Sequence, residues 1–197
     1  ETPDELMIKA AKLTRTGIGL PAYYNDEVII PAIMNRGVSL RDARVYNIIG
    51  CVEPQVPGKT DGWHDAAFFN MLRPLELVFT SGEDFGEQVG PRTMPVEEMT
   101  SFDQFYDAYQ TQMNYFIRLM VNADNSIDLA HAKRCPLPYQ SSMIDDCISR
   151  GKSLQEGGAV YNFTGPQGFG IANATDALYA IKELVFEQKK VSMEEYK

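Results

Sequence analysis

Apolar residues recur along this chain at helical spacing in some stretches and gather into β-branched runs in others, with glycines and prolines between them. Thr2-Pro3-Asp4-Glu5 offers an N-cap hydroxyl, a proline for the first helical position and a capping-box glutamate, predicting a helix over residues 3–14 that Gly17 and Gly19 break. Asn25 or Asp26 can cap a second helix to about Arg36, stopped by Gly37 and interrupted by Pro31. Ser39 can cap a single turn before Val45-Tyr46-Asn47-Ile48-Ile49, which reads as a buried strand. Residues 54–62 hold two prolines and two glycines and read as a loop. From Trp63 onward Ala67, Met71, Leu75, Val78 and Phe79 recur at helical spacing, predicting a helix kinked at Pro74 and ended by Gly82.

Residues 83–100 read as an irregular connection. Ser101 with Gln104 forms a capping-box pattern, and Phe105, Tyr109, Met113, Phe116 and Met120 make the core-facing stripe of a long helix ending near Asn122. Further helices are predicted from Ser141 to Arg150, from an Asn173 cap to about Glu187, and from Ser192, with a short strand over 160–163. Strands, loops and helices alternate, which places the chain in the α/β class as a single domain over residues 1–197.

Composition narrows the function classes. With 197 residues, 44% hydrophobic and 23% charged, the chain can bury a sizeable core. A net charge of −9 with scattered Lys and Arg argues against a nucleic-acid partner. No apolar run approaches the roughly 20 residues that span a bilayer, and no signal segment is visible, so a cytoplasmic setting without a membrane partner is expected. Three cysteines without a CxxC pair indicate neither a disulfide framework nor a metal site. His131 and Cys135 lie four apart with no second ligand pair, and read as structural.

The chemistry concentrates at Gly50-Cys51-Val52-Glu53-Pro54. On an extended backbone, side chains at i and i+2 point to one side, so Cys51 and Glu53 could address one small molecule, sulfur for hydrogen-atom or nucleophilic chemistry and carboxylate for proton transfer. The rival reading is a buried structural cysteine beside a solvated glutamate. His64 and Asp65 precede the predicted apolar helix, where a helix N-terminus favours negative charge. Either could give a proton to a leaving group or stabilise it; the rival readings are an N-cap for Asp65 and a half-buried histidine bonded to backbone for His64.

The longer run from Asn47 to Asn70, containing Gly50-Cys51-Val52-Glu53-Pro54 and Trp63-His64-Asp65, resembles the thiyl-radical loop of glycyl radical enzymes of the pyruvate formate-lyase superfamily. It is similar to the dehydratase branch in particular, including glycerol, propanediol and trans-4-hydroxyproline dehydratases. The resemblance continues through Arg134-Cys135-Pro136-Leu137-Pro138 and residues 157–168. It implies part of a ten-stranded α/β barrel with the Cys51 loop at its centre. It also implies a Cys51 thiyl radical, Glu53 as base, Asp65 as a ligand of substrate hydroxyl, and loss of water from glycerol, a 1,2-diol or trans-4-hydroxyproline. Relatives acting on choline or isethionate keep a Cys-x-Glu core, whereas the pyruvate formate-lyase branch uses adjacent cysteines and Cys51 is flanked by Gly50 and Val52.

In such families a C-terminal Arg-Val-x-Gly-Tyr-type segment stores the radical, and none occurs among these 197 residues, which open at Glu1. The resemblance therefore implies an internal piece of a longer enzyme. Its glycyl radical would lie outside the segment, installed by a radical-SAM activase, and its partners would be a small-molecule substrate, the remainder of the enzyme and a second copy in a homodimer. Two other readings are a non-catalytic domain that keeps the fold, and a thiol enzyme using Cys51 as nucleophile with His64 or His131 as base.

Overall fold

A computed structural model describes residues 2–197. The chain divides into two compact units, the first ending at Pro57 and the second running from Gly58 to Lys197.

The first unit contains helices α1 (Asp4–Thr14), α2 (Asp26–Met34) and α3 (Leu40–Ala43), then strands β1 (Asn47–Ile49) and β2 (Glu53–Gln55). Local chemistry sets its helix starts. The Asn25 side chain accepts the Glu27 N–H at 2.9 Å, and the Ser39 hydroxyl accepts the Asp42 N–H at 3.1 Å. At α1, Pro3 rather than Thr2 takes the cap position, without a side-chain cap. The run predicted as a buried strand yields only β1, whose residues alternate between exposed and half-buried, and Val45 is exposed. Its hydrogen bonding is satisfied by an antiparallel partner close in sequence: Asn47 faces Gln55, Ile48 faces Pro54 and Ile49 faces Glu53. The predicted loop from Pro54 is therefore partly strand.

The second unit begins with β3 (Thr60–Asn70) and α4 (Arg73–Phe79), followed by two-residue strands β4 (Glu83–Asp84) and β5 (Glu87–Gln88). The long helix α5 (Phe102–Arg134) precedes two single-turn helices, α6 (Pro138–Ser141) and α7 (Cys147–Arg150). Strand β6 (Tyr161–Phe169) leads into α8 (Ile171–Ala180), which continues as a π-helical stretch over Ile181–Glu187 before α9 (Met193–Tyr196). Leu75 and Val78 of α4, Phe105 and Tyr109 of α5, Val96 and Ile181 form the buried core.

The predicted helix from Trp63 is corrected: residues 60–70 are strand, paired in parallel with β6 from Thr60–Tyr161 to Asn70–Phe169. The apparent helical spacing straddled a strand and a helix, with Ala67 on β3 and Leu75, Val78 and Phe79 on α4. Pro74 lies in the first turn of α4, where a missing N–H is harmless, and kinks nothing. Helix α5 outruns its predicted end at Asn122 because no glycine or proline interrupts it before Pro136. The single helix predicted for 141–150 is split, with Asp146 in the left-handed region at φ 75°. Strand β6 extends beyond 163 to Phe169, and α8 starts after left-handed Gly170 rather than at an Asn173 cap. Among the described residues, no helix is long and apolar enough to cross a membrane.

Candidate active site

Strands β1 and β2 are joined by Gly50-Cys51-Val52, so the exposed Cys51 stands at the tip of a hairpin. Cys51 is in a turn, and the extended i, i+2 geometry expected for Cys51 and Glu53 does not apply. A different contact brings the two together. Glu53, only 5% exposed at the start of β2, folds back so that its Oε2 accepts the main-chain N–H of Cys51 at 2.7 Å and that of Val52 at 2.8 Å. These N–H groups sit in the turn, beyond the β-ladder, and the carboxylate supplies them with a charged acceptor. Gly50 makes this possible twice over: its φ of 59° suits glycine, and a Cβ there would lie 2.8 Å from Glu53 Oε2. The rival reading of a buried cysteine beside a solvated glutamate is reversed, since the thiol is exposed and the carboxylate buried.

Sequence reasoning missed Tyr24. Its hydroxyl donates to the carbonyl oxygen of Cys51, a contact between residues 27 apart in the chain.

His64 and Asp65 lie in the second unit, within β3 and not at a helix start, so the N-cap and helix-dipole readings fall away; α4 begins only at Arg73. His64 pairs opposite Gly165, where a Cβ would come 2.5 Å from His64 Nδ1, so the ring occupies space that only glycine leaves. Between the pairs His64–Gly165 and Phe68–Gln167 the register slips, and Asp65, Ala66 and Ala67 stand against the single residue Pro166. Pro166 has no N–H to offer a ladder, which suits it to the interruption. Asp65 starts this bulge at φ 58°, a conformation Asp tolerates better than most residues, and is exposed there. The Gln167 side-chain amide donates to Asp65 Oδ1, fixing the carboxylate from β6.

The chain matches the family description "pyruvate formate lyase-like" over residues 1–197. It belongs to the pyruvate formate lyase-like family. Among solved structures, it is similar to one from a study of 1,2-propanediol dehydration in Roseburia inulinivorans, at 68% identity and a TM-score of 0.87. That match covers 96% of this chain and 24% of the other. The glycerol-bound B12-independent glycerol dehydratase of Clostridium butyricum is 61% identical with a TM-score of 0.88, covering 98% of this chain and 24% of that one. A curated relative, the (2S)-3-sulfopropanediol dehydratase of Klebsiella oxytoca, is 42% identical over 97% of this chain and 23% of its own length. The chain thus spans about a quarter of each relative. Its α/β fold is that of the corresponding part of these enzymes.

A second feature of this pyruvate formate lyase-like chain is a cavity of about 530 Å³ in the second unit, lined by Asp61, Trp63, Asp128, His131, Cys135 and Ile144 among others. The Trp63 and His131 rings meet edge to face, centroids 5.4 Å apart. Burial pushes the Asp61 carboxyl above the ordinary aspartate range, and the negative charge of Asp128 adds to the shift. The sequence held a signal for this wall, since Asp128, His131 and Cys135 follow at i, i+3 and i+7, but only on a helix carried past Asn122. Among the described residues, no group of three or more His, Cys, Asp or Glu could hold a metal ion.

Proposed function

We propose that this chain carries the reactive cysteine hairpin of a glycyl radical dehydratase that removes water from a small vicinal diol, propane-1,2-diol or glycerol. The observation that carries the reading is the hairpin itself, an exposed thiol at its tip with the Glu53 carboxylate bonded to the main-chain N–H groups of Cys51 and Val52. The choice of diol rests on 68% and 61% identity to the two structures concerned with those compounds.

A glycyl radical elsewhere in the polypeptide, installed by a radical-SAM activating partner, would supply the one-electron oxidation of the Cys51 thiol. The chain's own residues then divide the work. The Cys51 sulfur takes a hydrogen atom from a carbon bearing hydroxyl, leaving the unpaired electron on that carbon. Glu53 accepts the proton of the same hydroxyl, which makes the carbon radical electron-rich enough to expel the neighbouring hydroxyl. The leaving oxygen departs as water after regaining a proton, and Cys51 returns its hydrogen atom to the product carbon, yielding an aldehyde. Asp65, held by Gln167, orients the substrate hydroxyls, and His64 is the candidate donor to the leaving group. The active molecule would be a larger polypeptide, of the length of the relatives and assembled as a homodimer.

The test is anaerobic assay of the activated full-length polypeptide on propane-1,2-diol, glycerol, trans-4-hydroxyproline, choline and isethionate, beside Cys51→Ser. Aldehyde formation from a diol, abolished by Cys51→Ser, is expected. Turnover of another substrate alone would replace the diol, and activity that survives Cys51→Ser would remove the thiyl mechanism.

A further inference from the structure

Tyr24, Asn25 and Asp26 lead into α2, and each of the three side chains makes a hydrogen bond with a separate task. Asn25 caps its own helix. Tyr24 donates to the carbonyl of Cys51, and Asp26 Oδ1 accepts the hydroxyl of Tyr46 at 2.7 Å. Tyr46 immediately precedes β1, whereas Cys51 lies in the turn that follows it. One three-residue segment therefore holds the hairpin at its entry and at its tip.

The hairpin needs such a hold. Its strands are three residues each and, among the described residues, paired only with one another, and a two-stranded hairpin of this size is marginal in water. At Cys51 the consequences meet: its N–H is bound by Glu53 Oε2 and its C=O by Tyr24, so both peptide groups flanking its Cα are fixed. Rotation about Cα–Cβ is then the main freedom left to the sulfur. Hydrogen-atom transfer requires the reacting atoms about 3–3.5 Å apart and aligned, so a tip confined in this way is worth rate rather than affinity. The Tyr46 hydroxyl, pushed up to about 12 chiefly by its bond to Asp26, keeps its proton through the neutral range, and the lower tether persists there.

We propose that Tyr24 and Asp26 form a clip on the cysteine hairpin, with Tyr24 a positioning residue that aims Cys51 through its main-chain carbonyl. The inference rests on the radical dehydratase reading for its catalytic part, while the clip itself stands on geometry alone.

The test uses the full-length polypeptide and two independent readouts. Before activation, hydrogen exchange of the peptide covering residues 47–55 is compared between wild type, Tyr24→Phe and Tyr46→Phe, the second of which removes the hydroxyl that Asp26 holds. Exchange of this peptide is expected to rise roughly fivefold in Tyr24→Phe, the factor for one ordinary hydrogen bond, with the rest of the protein unchanged. After activation, Tyr24→Phe is expected to lower kcat by about tenfold to a hundredfold with KM and glycyl radical content preserved. Unchanged exchange in both variants would overturn the clip. Faster exchange with unchanged kcat would overturn the positioning role, as would a fall in kcat that follows thermal stability or radical content. If wild type itself forms no radical or turns nothing over, the dehydratase reading fails, and exchange alone then decides the clip.

Discussion

Glu53 Oε2 lies 2.7 Å from the main-chain nitrogen of Cys51, so the proposed base also braces the turn that presents the thiol. The two duties separate by substitution. Glu53→Gln keeps an amide oxygen for the N–H groups but cannot take a proton, and should lose about 100-fold to 10,000-fold in kcat with little loss of stability. Glu53→Ala should lose the same activity and about 2 kcal/mol besides, because two N–H groups of the turn lose a charged acceptor. Thermal denaturation beside steady-state kinetics checks this, and equal stability of the two variants would contradict the bracing role.

Gly165→Ala should displace the His64 ring, since the added Cβ would sit 2.5 Å from Nδ1. A loss of about 1–3 kcal/mol is expected, as for other forced overpacking. A double-mutant cycle with His64→Ala gives the decisive reading: with the ring removed, alanine at 165 should be tolerated. Additive losses would show that the ring is not what the glycine accommodates.

Asp61 gives a pH dependence with a defined sign. Its carboxyl is raised in the folded chain, by burial first and by Asp128 second, so the native state holds the proton more tightly than the unfolded state. The corresponding stability is fully present below the unfolded pKa and is lost as pH rises through the folded one. Asp61→Asn should therefore gain on wild type as pH rises through that titration, in denaturant unfolding from about pH 4 to pH 7. Asp128→Asn should move the Asp61 titration, followed by carbon-13 carboxyl shifts, only part of the way down, because burial remains. A complete return to the ordinary value would reverse the order of causes.

Cys147 should be the slowest cysteine to alkylate. It is 2% exposed, and burial, followed by the nearby charge of Asp61, pushes its thiol up, leaving little of the reactive thiolate. Cys51 is exposed at its hairpin tip. Timed iodoacetamide labelling read by peptide mass spectrometry should show Cys51 and the likewise exposed Cys135 modified ahead of Cys147, which reacts only on unfolding. Equal rates in the folded protein would contradict this.

What could be read from the sequence was local. Asn25 and Ser39 cap the helices they were expected to cap, and Ser192 with Glu195 closes a capping box at α9, because each bond spans two or three residues. Strand β3 was misread because its partner β6 lies about 100 residues away, and only that pairing reveals 60–70 as extended. At the site, the motif picked out Cys51, Glu53, His64 and Asp65, but not their geometry. The turn at Gly50 replaces an extended strand, and the contacts from Tyr24 and Gln167 span 27 and 102 residues. No periodicity or cap signal reaches that far.

The bulge on β3 carries a constraint on how this segment can change in length. From His64 to Phe68 is four residues, while the matched step on β6, from Gly165 to Gln167, is two. The surplus is even, so β3 returns to its partner with the same side chains on the same sheet face. Loss of two of the three residues 65–67 would erase the arch yet leave Phe68, Phe69 and Asn70 facing as they do. Loss of one would turn all three over. Insertions and deletions at this place should therefore be accepted in pairs, and the aspartate at its start can be moved outward or inward in whole steps without recasting the strand behind it.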